Sequence, residues 1–358
     1  MKRILLLISI YLLTISTNAQ TNQKWSATGK FGDGFIVAHR PSVVHVLQKH
    51  SRSFELDYTY KTSRKKGWEE LYNFPEIGIG YQYFDLGNPQ ELGTAQGLFG
   101  LIKFGLLERK KAILKVHLGL GIGYISRPFN LIDNYKNLLA GSHLNATITS
   151  GLEYCIKISE KTNFITGINL THYSNGGSKV PNMGINLAAL NLGIKYHFFP
   201  TINEPKDTFS IIRKQSFEMV SAVGFKQIYP PSSPNYVVGI FTADYIWPVK
   251  NKSMITAGAD AFIDKSHKAY LLRDSIITKG AEGYLRSGIH FGYGLQVGKC
   301  SGILQTGYYF YNPFDIDGHI YSILSFRYHI NEHVFACFNL KSHYARADYF
   351  QYGIGYHF

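Results

Sequence analysis

Tyr349-Phe350-Gln351-Tyr352-Gly353-Ile354-Gly355-Tyr356-His357-Phe358 alternates strictly: Phe350, Tyr352, Ile354, Tyr356 and Phe358 share one face of an extended strand. A strand with such an aromatic-rich apolar face is a hazard in water, where it templates aggregation, but is at home against lipid. The stretch has an echo in mid-chain, Gly193-Ile194-Lys195-Tyr196-His197-Phe198 beside Gly353-Ile354-Gly355-Tyr356-His357-Phe358. Between the two lies the polar run Thr201 to Gln215, with Pro205.

Outward from these two stretches, the chain from Trp25 onward reads as alternating segments separated by turn signals. Strands are expected to begin near residues 26, 49, 74, 95, 112, 141, 161 and 185, then near 216, 236, 252, 283, 301, 319, 333 and 348. Short connections such as Glu108-Arg109-Lys110-Lys111, Ser159-Glu160-Lys161, Lys250-Asn251-Lys252 and Asn331-Glu332 alternate with long ones such as Arg127 to Gly141, Asn175 to Pro181 and Asp264 to Gly280. That is the periplasmic-turn, extracellular-loop rhythm of an outer-membrane barrel. Thr62 to Asn73, containing Arg64-Lys65-Lys66, breaks it by being long where a short turn is due. The expected fold is all-β, an antiparallel transmembrane β-barrel of about 14–16 strands. One continuous barrel is the preferred form, and two eight-stranded units in tandem are the alternative.

Composition agrees with this class. The chain has 26 Tyr, 24 Phe and 35 Gly, as suits aromatic girdles and tight turns. Its first twenty residues read as a secretory signal peptide: Lys2 and Arg3, the apolar run Ile4 to Leu13, then Thr17-Asn18-Ala19. The expected division is therefore a signal peptide at 1–20, a first set of barrel strands at 21–198 and a second at 199–358. After the signal region no segment reaches the ~20 apolar residues of a membrane helix. Cys155, Cys300 and Cys337 are an odd number at unrelated spacings and read as packing residues. A net charge of +13 without a basic block argues against nucleic acid in an exported chain and suits anionic lipid phosphates.

The chemistry lies where strands seven and eight meet. Phe164, Thr166, Ile168, Leu170, His172 and Ser174 share one face, and Asn186, Ala188, Leu190, Leu192, Ile194 and Tyr196 share a face of the next strand. Both faces are mainly apolar and should point to lipid, yet His172, Ser174 and Asn186 converge at their extracellular end. Residues i and i+2 lie ~7 Å apart, within reach of a tilted imidazole. A base beside a hydroxyl, with a third group to orient the base, is the geometry of an activated nucleophile. The loop Asn175-Gly176-Gly177-Ser178-Lys179-Val180-Pro181-Asn182 adds amides and backbone N–H groups suited to an oxyanion site. In the second half, Leu340-Lys341-Ser342-His343-Tyr344 resembles Leu170-Thr171-His172-Tyr173 without the Ser-Asn that follows, and reads as structural.

His172-Tyr173-Ser174-Asn175-Gly176, followed by Lys179, Pro181-Asn182 and Gly184, resembles the signature of the PagL-type lipid A deacylases. Arg127-Pro128-Phe129 and Asn134-Tyr135-Lys136-Asn137 are similar to segments of longer acyloxyacyl hydrolases. The resemblance implies an outer-membrane serine esterase that removes an ester-linked acyl chain from lipid A. It implies Ser174 as nucleophile, His172 as general base, and Asn182, with Asn175 or backbone N–H groups such as that of Gly176, around the oxyanion. Asn186 stands where the family has a glutamate; an amide can orient the imidazole but supplies no charge. Residues 199–358 have no counterpart in the short members.

The expected partners are lipid A (lipopolysaccharide) in the outer leaflet and the outer-membrane insertion machinery, which reads a terminal aromatic strand such as Tyr349 to Phe358. Arg40, Arg127, Lys136 and Lys179 are candidates for the glucosamine phosphates. Neither a metal nor an organic cofactor is expected. Two rival readings stand beside the esterase: a porin-like channel, since sixteen strands leave an aqueous lumen, and a structural barrel whose triad has decayed.

Overall fold

The computed structural model describes residues 25–63, 67–198, 215–273, 284–313, 317–344 and 346–358. The expected signal peptide, Arg64-Lys65-Lys66, nearly all of the Thr201 to Gln215 run and the Asp264 to Gly280 loop beyond Arg273 lie outside the described residues.

Sixteen strands follow one another along the chain. The first eight are β1 (Trp25–Ile36), β2 (Ser51–Lys61), β3 (Glu76–Asp85), β4 (Thr94–Arg109), β5 (Ala112–Ile125), β6 (Leu144–Lys157), β7 (Thr162–Ser174) and β8 (Ile185–His197). The second eight are β9 (Ser216–Gln227), β10 (Asn235–Lys250), β11 (Ser253–Asp264), β12 (Leu285–Val297), β13 (Cys300–Tyr311), β14 (Ile320–His329), β15 (Val334–His343) and β16 (Arg346–His357). Their starts fall within three residues of those read from the alternation.

The preferred closure does not hold: the chain forms two closed eight-stranded barrels, the tandem alternative. β8 returns to β1, with Ser26 opposite His197 and Ile36 opposite Leu187. β16 returns to β9, from Gln351 opposite Gly224 to His357 opposite Glu218. Each half thus consumes its own edges and needs none from the other. The echo Gly193 to Phe198 and Gly353 to Phe358 overlaps both closing strands, β8 and β16.

An eight-stranded interior is just wide enough to be filled by side chains, and charges fill both. In the first barrel Lys30 lies 2.5 Å from Glu55 and 2.7 Å from Glu153, while Lys103 lies 2.8 Å from Asp57 and 2.9 Å from Glu153. Nearer the short-turn end, Glu76 bridges Lys115 at 2.6 Å and Lys195 at 2.5 Å. In the second barrel His290 sits between Asp244 and Asp260 at 2.6 and 2.7 Å, and Arg327 joins Asp244 to Glu218. These groups are buried, so their charges stay only because each is paired. The channel reading needed one wide sixteen-stranded lumen. Two narrow, occupied lumens remove its premise.

The outer walls are the opposite, with Ile168, Leu170, Leu190 and Leu192 exposed on the first barrel and Phe291, Leu304 and Ile354 on the second. Over the long-loop mouth of the first barrel a 3-10 turn at Pro41–Val46 contributes Val43 and Val46 to an apolar cap. Leu86, Leu92, Leu139 and Ala140 from neighbouring loops complete it over Tyr173, Ile185 and Leu187. These inward residues, Tyr173 of β7 and Ile185 and Leu187 of β8, therefore anchor the strand ends where the candidate site lies.

The long segment after β2 also finds its reason. It carries a short helix, α1 (Trp68–Leu71), at the short-turn end. The indole of Trp68 lies against Gly298 of the β12–β13 turn, the Tyr72 hydroxyl donates to the Gln296 carbonyl at 2.8 Å, and Lys252 stands 4.9 Å over the Tyr72 ring. A plain hairpin turn could not reach the second barrel.

Candidate active site

Strand register builds the site. β7 and β8 pair with His172 directly opposite Asn186 and Tyr173 opposite Ile185. Since Tyr173 and Ile185 point into the cap, His172 and Asn186 must point outward. His172 Nδ1 and Asn186 Oδ1 are 2.6 Å apart. An amide oxygen can only accept, so Nδ1 carries the proton and Nε2 keeps its lone pair.

One partner of this pair was missed in the sequence. Asn186 Nδ2 donates to His39 Nδ1 at 3.1 Å. His39 follows β1 on the outward row Phe35, Val37, His39, and the β1–β8 seam, continued by the Val37 N–H bond to the Asn186 carbonyl at 2.8 Å, brings it there. The alternation of β1 could have pointed to His39, but only for a reader who closed β8 onto β1.

Ser174 ends the same outward row, and its Oγ receives two donors. The Gly176 N–H lies 3.1 Å away and Asn182 Nδ2 lies 2.9 Å away. Asn182 is aimed by its other end: its Oδ1 accepts the Asn175 N–H at 3.3 Å, which leaves the NH₂ facing the serine. Gly176 has φ 62°, a left-handed conformation that lets the chain double back over the serine. Among the described residues His172 Nε2 makes no hydrogen bond with Ser174 Oγ, which is occupied by those two donors. Resting enzymes often hold base and nucleophile apart in this way until substrate arrives.

Asn175, expected among the oxyanion groups, points elsewhere. Its Nδ2 bonds Ser142 Oγ and the Lys179 carbonyl, both at 3.0 Å, and its Oδ1 accepts the Gly177 N–H at 2.9 Å. It shapes the loop, and its side chain is spent doing so. Gly184 has a role the sequence did not reveal. At φ 80° it passes so close to His172 that a Cβ would fall 2.5 Å from the imidazole Cε1. Only glycine leaves the ring its place.

The four candidate phosphate ligands are all exposed at the long-loop end. Lys136 is partly engaged, 3.4 Å from Glu91. Asn134 and Asn137 bind the Arg127 carbonyl at 3.1 and 2.7 Å, which ties together the two loop segments singled out in the sequence. In the second half the His343 imidazole faces inward, 3.0 Å from the Tyr309 hydroxyl, in agreement with a structural role.

Two closed barrels with apolar outer walls and charge-filled lumens, one of them with His172, Ser174 and Asn186 on its outward rows, define an outer-membrane type of β-barrel. A family model described as lipid A 3-O-deacylase (PagL) matches residues 52–195, and one described as acyloxyacyl hydrolase, C-terminal domain, matches residues 215–358. The chain belongs to the PagL-type lipid A deacylase family. Membership indicates a hydrolase of ester bonds with lipid A as substrate and an outer-membrane location. The first match begins after β1, so His39 lies outside it. No curated protein matches the chain. Among solved structures, Neisserial surface protein A aligns at 9% identity with a TM-score of 0.35, covering 49% of this chain and 97% of that one. An engineered porin from Rh. blastica aligns at 10% identity with a TM-score of 0.19, covering 94% and 100%.

Proposed function

We propose that the chain is an integral outer-membrane serine esterase that removes an ester-linked acyl chain from lipid A. The observation that carries this reading is the outward-facing chain of contacts from His39 through Asn186 to His172, beside a serine held by two hydrogen-bond donors. Nothing about folding asks for such a set on an otherwise apolar wall. The proposal includes export by the N-terminal segment and recognition of the last strand by the insertion machinery.

Lipid A lies in the outer leaflet with its chains along the wall formed by Ile168, Leu170, Leu190 and Leu192. Its ester then meets the site at the upper edge of the apolar band. His172 Nε2 takes the Ser174 proton as Oγ attacks the ester carbonyl. The oxyanion that forms draws the Gly176 N–H and Asn182 Nδ2, which in the resting protein converge on Ser174 Oγ beside it. The tetrahedral species collapses, the sugar oxygen leaves with the proton held by His172, and an acyl-serine remains. Water, deprotonated by His172, attacks that ester, and the fatty acid departs as Ser174 regains its proton.

Asn186 orients His172 without charge. In serine proteases an amide at the equivalent place lowers turnover by about 10⁴-fold, because it fixes the wrong tautomer. Here His39 accepts from the amide NH₂ and so turns the oxygen toward His172, which favours the productive tautomer.

Mass spectrometry of lipid A from cells making the wild-type chain or Ser174→Ala at equal level tests the proposal. Loss of one acyl mass only with the wild type is expected, first at the 3-O position named for the matched family. Identical spectra would overturn it and favour a barrel whose triad has decayed.

A further inference from the structure

The second barrel meets the first at the catalytic loop itself. Along the outward row of β16, Tyr352 and Ile354 are 50% and 63% exposed, but Phe350 is only 7% exposed. Its ring lies on Gly176, so closely that a Cβ there would sit 2.3 Å from Cδ2. The Phe338 ring backs it at 4.9 Å. Next to it, the Gln227 N–H donates to the Gly177 carbonyl at 2.9 Å and Gln227 Oε1 accepts the Val180 N–H at 2.9 Å.

Gln227 is itself held. Its Nε2 donates to the carbonyls of Pro231 and Ser233 at 3.0 and 2.7 Å, so the acceptor oxygen has one direction in which to point. The loop it grips carries both donors to Ser174, Gly176 at one end and Asn182 at the other. With α1 fixed against the β12–β13 turn at the opposite end of the molecule, the two barrels are tied at two places with the same orientation across the membrane.

We infer that the second barrel completes the active site: Gln227 and Phe350 are positioning residues that hold the Gly176 N–H and Asn182 amide in register with the Ser174 oxygen. This rests on the serine-esterase reading above. A loop of two consecutive glycines, Gly176 and Gly177, has wide conformational freedom of its own. Holding it in advance leaves less reorganisation for the reaction step, so the device should act on turnover more than on substrate binding.

The full chain, folded in detergent micelles with lipid A, provides the test, with the heat-dependent gel shift of an intact barrel as the measure of folding. Gln227→Met, which keeps length and loses the acceptor, and Phe350→Ala should each lower kcat on the order of tenfold with KM within about twofold, the loss of one hydrogen bond or packing contact expressed in the transition state. Folded Gln227→Met and Phe350→Ala proteins with wild-type kcat, or with the loss falling on KM instead of kcat, would overturn the inference. A second readout separates it from the proposed substrate: the rate at which Ser174 displaces fluoride from a fluorophosphonate. If the wild type is labelled at Ser174 but leaves lipid A intact, the substrate proposal fails and slower labelling of Gln227→Met still upholds the positioning role. A wild type neither labelled nor active overturns both.

Discussion

His172 and His343 each end a run that begins with an outward leucine near the long-loop mouth, yet one faces lipid and the other the lumen. Leu170 and Leu340 correspond, and both start on the outer wall. In β7 one residue, Thr171, separates the leucine from the histidine, so His172 is outward again. In β15 Lys341 and Ser342 intervene, and His343 turns inward. Strand side chains alternate with period two, so one inserted residue moves an imidazole from one solvent to another. Outside, it can meet a lipid ester. Inside, it meets Tyr309, and its neighbour Lys341 is ringed by Phe262 and Tyr349 at 5.0 and 5.1 Å and paired with Asp348 at 2.8 Å. Both barrels keep charged groups in the lumen, and the first adds His172, Ser174 and Asn186 on its outward rows.

The largest effect should come from exchanging these histidines one at a time. His172→Ala removes the proposed base and should lower deacylation by about 10²–10⁴-fold. His343→Ala removes a lumen contact and should leave kcat within about twofold in the folded protein. Lipid A turnover by both variants checks this, and a large kcat loss in folded His343→Ala would break the comparison.

Next come the lumens, where the two barrels should behave alike. Lys103→Met strips Asp57 and Glu153 of a partner, and Arg327→Met does the same to Glu218 and Asp244. Each should cost about 3–5 kcal/mol, since a buried charge is left uncompensated. Urea unfolding in micelles, followed separately by probes in each half, would show whether the loss stays in the barrel that carries the change. Loss smaller than about 1 kcal/mol in either would mean that water reaches the lumen.

If Asn182 is the oxyanion donor proposed above, Asn182→Ala should lower kcat by about 10²–10³-fold, the usual consequence of losing one such donor. Asn175→Ala would sharpen the point: its amide only shapes the loop, so its effect should appear as lowered stability with a smaller fall in kcat. Equal kcat losses from the two would return Asn175 to the oxyanion site.

Much of this was legible in the sequence. Alternation located all sixteen strands, because a membrane wall imposes a period of two on every one of them. It also put His172, Ser174 and Asn186 on one outer face at one end. Closure was not legible, because the same alternation serves one barrel of sixteen strands or two of eight. What decides between them is which edge β8 and β16 find, and that is a tertiary pairing with no local signature. His39 was lost for the same reason: in a continuous barrel β1 would pair with β16, and no residue after β1 would come near Asn186. The long Thr62 to Asn73 segment was legible only as an irregularity, since its purpose lies in a partner surface about 220 residues onward at Gln296 and Gly298.

His39 supplies the smallest and most discriminating prediction. An amide has two unlike ends, and in the site at β7 and β8 only one of them can accept from His172. His39, by taking the NH₂, selects the useful orientation. His39→Ala should therefore lower kcat by roughly tenfold, about one hydrogen bond's worth of preference. A carboxylate has two equivalent oxygens and needs no such selection. In an Asn186→Glu background the same His39→Ala change should cost little, and the two substitutions should be non-additive by about 1 kcal/mol in a double-mutant cycle on kcat. Equal losses from His39→Ala in both backgrounds would show that His39 acts on the loop or on the lipid, and would leave the orientation of Asn186 to be explained by the strand pairing alone.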